Sequence, residues 1–125
     1  MHVLVVDDLQ TDRFILKKLL APYYGVTTLS SAREAIAFAL SHTFDVALLN
    51  VSLLYDMDCL DLLQQLRSIQ AHSFTAFATT CHVDKGRYRK LLQSGFESVI
   101  MKPFDIDEFN LLVKNHIRQP TFVLH

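Results

Sequence analysis

Residues 45–58 read DVALLNVSLLYDMD. Val46 to Leu49 is a short continuous apolar run, the signature of a strand buried on both faces of a parallel sheet. It ends on Asn50, a polar residue at the strand's carboxyl end. In an open α/β sheet that is the edge where ligands and chemistry gather. Four further β-rich runs flank it, at His2–Val6, Val26–Leu29, Phe74–Ala78 and Ser98–Met101. The second, VTTL, is the most polar and suits a sheet edge.

Helical patterns separate these runs. Ala32, Ala35, Ile36, Ala39 and Leu40 fall on one helical face, and Ser31 with Glu34 makes a capping-box pattern before it. Cys59, Leu62, Leu63 and Leu66 form the apolar stripe of a later helix. Ile106, Phe109, Leu112 and Val113 form another, with Asp105 as its N-cap. A first helix over Thr11–Leu20 is closed by Pro22, and a fourth over Asp84–Ser94 by Gly95. Alternation of β and α units with short connections specifies an α/β fold, a parallel sheet covered by helices on both sides.

The chain has 125 residues, half of them hydrophobic, and a formal charge of −1. It is long enough for one well-buried core and reads as a single domain over 1–125, with the core over about 1–118 and a short apolar tail. The near-zero charge argues against a nucleic-acid or membrane binder working by bulk charge. No apolar run has the length of a membrane span. MHVLVVDD at the start lacks the features of a signal peptide. Cys59 and Cys81 are not in a CxxC arrangement, so a reducing cytoplasm is the expected setting.

The strand ends collect a specific set of side chains. Asp7 and Asp8 close the first strand, Asn50 the third, Thr79 and Thr80 the fourth, and Lys102 the fifth. Two adjacent carboxylates repel unless a cation is present. A hard divalent ion accepts such carboxylates and completes its shell with water, amide or backbone oxygens and a phosphate. A lysine and a hydroxyl nearby can hold anionic oxygens, which together makes a phosphoryl-transfer site. Taken singly, each is as well explained by a turn former, a helix cap or a solvated lysine. The crevice rule, which places all of them side by side, favours the functional reading.

VLVVDD at the start, the polar end of the third strand, FATT closing the fourth and MKPF after the fifth resemble the receiver domain of two-component response regulators, over essentially the whole chain. Lys102 follows Thr80 by 22 residues, a spacing that also fits that family. The resemblance implies a flavodoxin-like (βα)5 three-layer sandwich with strand order 2-1-3-4-5. It implies an aspartyl phosphoacceptor at the position of Asn50, Mg²⁺ held at the positions of Asp7, Asp8, Asn50 and the Ser52 backbone, and phosphoryl oxygens bound at those of Thr80 and Lys102. It also implies a cis peptide before Pro103.

The departures cluster at that site. A neutral amide cannot form an acyl phosphate, so Asn50 makes the acceptor degenerate, and any Mg²⁺ site is expected to be weak or lost. The loop SLLYDMDCLDLL puts Leu54 near the family's proline position and Cys59 near its glycine position, with one extra residue. Val99 stands where the family usually carries a switch aromatic, and a β-branched side chain has no ring to swing. These three together read as natural divergence. Asp56 or Asp58 as a displaced acceptor is the weaker alternative, since loop aspartates are usually caps or turn formers.

Cys81 and His82 beside Thr80 have no partner at ligand spacing and read as bystanders. DKGRYRK, residues 84–90, carries four basic residues. It reads either as a solvated helix face or as an interaction face of Arg87, Tyr88, Lys90, Val99 and Phe104. The tail QPTFVLH, residues 119–125, is apolar enough to pack back, bind a partner or lead into a further region. The leading expectation is therefore a non-enzymatic pseudo-receiver that binds protein partners, such as a histidine kinase, an output domain or a second copy. A conventional Mg²⁺-dependent receiver with its acceptor replaced is the alternative. A phosphohydrolase or flavin protein is a third, disfavoured because DDLQTDR has no glycine for a phosphate cradle.

Overall fold

The computed structural model describes residues 1–52 and 56–116. Five strands alternate with five helices: β1 (His2–Val6), α1 (Gln10–Leu20), β2 (Gly25–Leu29), α2 (Ala32–Ala39), β3 (Val46–Asn50), α3 (Cys59–Ile69), β4 (Thr75–Thr80), α4 (Lys85–Gln93), β5 (Ser98–Met101) and α5 (Ile106–His116). All pairings are parallel and the order is β2-β1-β3-β4-β5. The polar VTTL run lies at one edge, where its side chains are only half-buried.

Strand periodicity divides the core in two. Leu4, Val6, Ala47, Leu49, Ala76 and Ala78 face α2 and α3. Their neighbours Val3, Val5, Val46, Leu48 and Phe77 face α1 and α5, where Leu16, Leu20, Phe109 and Val113 cover them. Successive strand residues point to opposite faces, so runs that are apolar throughout can only be satisfied between two helical layers. The Cys59, Leu62, Leu63 and Leu66 stripe is wholly buried on the first of these faces.

Loop acids do most of the helix capping. Asp84 accepts from the Arg87 backbone N–H at 2.8 Å, and Asp105 accepts from those of Asp107 and Glu108. Asp58 caps α3 through the Leu60 N–H. At α2, Ser31 Oγ accepts from the Glu34 N–H as the capping box requires, but the Glu34 carboxylate turns to the N–H and hydroxyl of Ser30. The return arm of the box thus lands one residue early. The remaining donors at this end, the N–H groups of Ala32 and Arg33, are taken by Asp56 from the β3–α3 loop.

At its other end α4 closes in a Schellman arrangement, with the Phe96 N–H on the Leu91 carbonyl and the Gly95 N–H on that of Leu92. Gly95 has φ +109°, and a β-carbon there would meet only ordinary contact with Leu63. The cost of a side chain is therefore in the backbone. Gly95→Ala should destabilise the fold by about 1–2 kcal/mol, read as a lower urea midpoint with an unchanged slope.

Candidate functional site

The register brings the polar strand ends together. Asn50 pairs with Thr79 across β3 and β4, Val51 N–H donates to the Thr79 carbonyl, and Lys102 N–H to that of Thr80. Asp7 and Asn50 are buried, at 0% and 5% exposure, in the crevice that these ends enclose. The Lys102–Pro103 peptide is cis, as the resemblance implies.

Lys102 is the hub. Its ammonium donates to Asp12 Oδ2 at 2.7 Å, Asp7 Oδ2 at 2.9 Å and Asn50 Oδ1 at 3.3 Å. An ammonium has three N–H groups and no acceptor, so all three donors are committed. Asn50 passes the network on, its Nδ2 donating to Asp8 Oδ1 at 3.0 Å. The far oxygen of Asp7 accepts from the Leu9 N–H, the entry to α1, whose N-cap residue offers no side-chain oxygen of its own. Arg13 donates to the Asp7 carbonyl. Burial pushes the Lys102 pKa down, but the hydrogen bonds and charges of Asp12 and Asp7 outweigh it and hold the ammonium above its ordinary 10.5.

This geometry does not fit a divalent ion as the crevice stands. A lysine can only donate, so Asn50 must turn its oxygen to Lys102 and its NH₂ to Asp8. The amide then offers a donor where a shared ion would need an acceptor. One Asp7 oxygen accepts from the Leu9 N–H and the other from Lys102, so a cation there would compete with the ammonium. Among the described residues no group of three His, Cys, Asp or Glu side chains is placed to hold a metal. Ser52 follows β3 in an exposed position.

Other expected residues fall outside the network. The Thr80 hydroxyl donates to the His82 carbonyl at 2.8 Å, so it serves the β4–α4 turn rather than Lys102. Asp56 and Asp58 are occupied as helix caps, and Asp58 also pairs with Arg87 at 3.0 Å. That pairing turns Arg87 toward α3. Val99 packs on the α2–α3 core and Phe104 on the α1–α5 core, so the two stand on opposite faces of the sheet. Tyr88 and Lys90 are exposed on α4. Leu54 and the 119–125 tail lie outside the described residues.

Asp12 has no role in the sequence reading, where it is only part of DDLQTDR. Its signal is positional: an acid in the first turn of α1, the helix that starts from the Asp7–Asp8 strand end. Cys81 is exposed and Cys59 buried, and both are free thiols. Burial, joined by the charge of Asp58, pushes the Cys59 thiol up to about 11.

A doubly covered parallel sheet with acids after β1, a polar residue ending β3 and lysine–cis-proline after β5 defines a CheY-like receiver fold. The sequence model of the response regulator receiver domain matches residues 3–114, and the chain belongs to that family. It is 35% identical over 117 residues to the DNA-binding transcriptional regulator NtrC of Salmonella typhimurium, covering 92% of this chain and 24% of that protein. The chain thus spans about a quarter of this relative's length. The CheY-like receiver domain from Methylobacillus flagellatus superposes with a TM-score of 0.82 at 20% identity, over 92% of this chain and 97% of that one. The receiver domain of a sensor histidine kinase from Pseudomonas aeruginosa, solved with a magnesium ion in its active site cleft, gives 0.79 at 21% identity over 91% and 94%.

Two outcomes follow from this chemistry. Lys102→Met keeps the buried stem but leaves the Asp7 and Asp12 charges without their counter-ion. It should cost about 2–3 kcal/mol by urea denaturation, less than a fully buried pair because Asp12 is partly exposed. Because the folded pKa is raised, this stabilisation is complete below 10.5 and disappears only as pH climbs beyond it; the gap between wild type and variant should close there. Separately, an alkylating reagent at neutral pH should modify Cys81 quickly and Cys59 only after unfolding, as intact mass would show.

Proposed function

We propose that this receiver domain signals through protein contacts without aspartyl phosphorylation, as a pseudo-receiver. The observation that carries this reading is Asn50: a neutral amide at the acceptor position, buried and hydrogen-bonded at both ends to Lys102 and Asp8. Such a side chain has no free carboxylate oxygen to attack phosphorus. Mg²⁺, which the histidine-kinase receiver of Pseudomonas aeruginosa holds in its cleft, finds here an amide turned the wrong way. The Thr80 hydroxyl is likewise committed elsewhere.

The contact surface centres on α4, where Tyr88, Arg89 and Lys90 are exposed and Arg87 is braced by Asp58. A histidine kinase, an output domain or a second copy of the chain is the class of partner, in a cytoplasmic setting. No helix among the described residues is long and apolar enough to cross a membrane. The specific alternative is a conventional receiver with only its acceptor replaced. It draws support from the intact crevice around Lys102.

Intact mass after incubation with Mg²⁺ and a small-molecule phosphodonor tests the reading. The wild-type chain should remain unmodified at every donor concentration. A gain of one phosphoryl group, mapped to Asp56, Asp58 or any other aspartate, would overturn it.

A further inference from the structure

We infer that Asp12 makes Lys102 the resident cation of the crevice in place of a divalent ion, and so forms a second block to phosphoryl chemistry beside Asn50. The inference rests on the pseudo-receiver reading and explains how its site is held closed. Asp12 is the acceptor nearest to the ammonium, at 2.7 Å, and Asn50 the farthest, at 3.3 Å. The α1 carboxylate therefore draws the lysine away from position 50 toward the helix.

Three features make that hold effective. Every N–H of the ammonium is used, so none is free for an incoming anionic oxygen. Lys102 is 13% exposed and Asp12 24%, so water screens the pair only in part. The pair borders a cleft of about 130 Å³ whose walls include Ile15, Leu16, Ile100 and Phe104, apolar side chains that offer neither ion another partner. Charge follows the same logic. Asp7 and Asp12 share one positive charge that stays inside the protein, while the Asn50 amide meets Asp8 without adding a further negative charge.

Restoring the acceptor alone therefore leaves the lysine engaged. In Asn50→Asp the new carboxylate oxygen would attack the donor's phosphorus, forming an O–P bond as the donor's leaving group departs with its bonding electrons. Lys102 has to leave Asp12 to meet the transferred oxygens. A charge-assisted hydrogen bond of this kind corresponds to about tenfold or more in rate.

The test compares wild type, N50D, N50D/D12A and N50D/D12N at saturating Mg²⁺ with a small-molecule phosphodonor, following intact mass over time. Asp12→Asn keeps the size of the side chain and removes its charge, and thermal melting verifies that each variant folds. N50D should label about tenfold more slowly than either double variant. In a second readout, NMR titration of the Lys102 side chain should show its pKa lower in Asp12→Asn than in wild type. Equal labelling rates for N50D and the double variants would overturn the role of Asp12, and so would failure of all three to label. Neither result touches the pseudo-receiver reading, which falls only if the wild-type chain itself is labelled.

Discussion

The Lys102 ammonium joins parts of the chain that are far apart in sequence. It follows β5 and reaches Asp7 after β1, Asn50 at the end of β3 and Asp12 on α1. Without it, carboxylates would face one another in a crevice where Asp7 is wholly shielded from water. Through Asp7 the same network reaches the Leu9 N–H and so the start of α1. Position 50 completes the circuit only because it is an amide. It accepts from the lysine with its oxygen and donates to Asp8 with its nitrogen. A carboxylate could accept at both ends but donate at neither, and would set a further negative charge against Asp8.

The acids of the β3–α3 loop are committed to helix ends. Asp56 spans to the open end of α2 and takes the Ala32 and Arg33 N–H groups, and Asp58 caps α3 while bracing Arg87. Helix N-termini present unpaired donors and partial positive charge, which a short carboxylate satisfies well. Such commitments give these aspartates structural work, and to serve as acceptors they would have to release helix ends.

The fold was legible because its main signal is redundant. Strands buried on two faces read as uninterrupted apolar runs, and β1 and β5 have the bounds that their sequences imply. Only edges moved: β2 begins at Gly25, β3 runs through Asn50 and β4 spans Thr75–Thr80, since the ladder continues as long as backbone pairing does. Site membership was legible for Asp7, Asp8, Asn50 and Lys102, because the crevice rule depends only on which residues end strands. What the sequence does not carry is direction. The orientation of the Asn50 amide follows from its being beside a lysine, and the Thr80 hydroxyl turns to a loop carbonyl two residues on. Asp12 depends on how the first turn of α1 meets Lys102, which follows β5, a tertiary fact without a local signature. Val99 on the edge strand β5 packs on the α2–α3 core, while Phe104, past the strand end, packs on the other, so the two flank the sheet edge that β5 forms.

A phosphorylated switch works because the phosphoryl group bonds differently to two conformations. Here the groups that would sense it are already paired: the lysine by two acids and an amide, the threonine by the β4–α4 turn. Val99 contributes a compact side chain packed on the core. A closed network of this kind favours one arrangement of the crevice, because each alternative must leave a buried polar group unpaired. On the proposed reading, a shift between states would be driven from outside the crevice, by a partner whose contacts differ between them. The exposed basic and aromatic face of α4 follows directly on the β4–α4 turn to which the Thr80 hydroxyl is bonded, so on that reading a contact there would bear on a site element outside the lysine network.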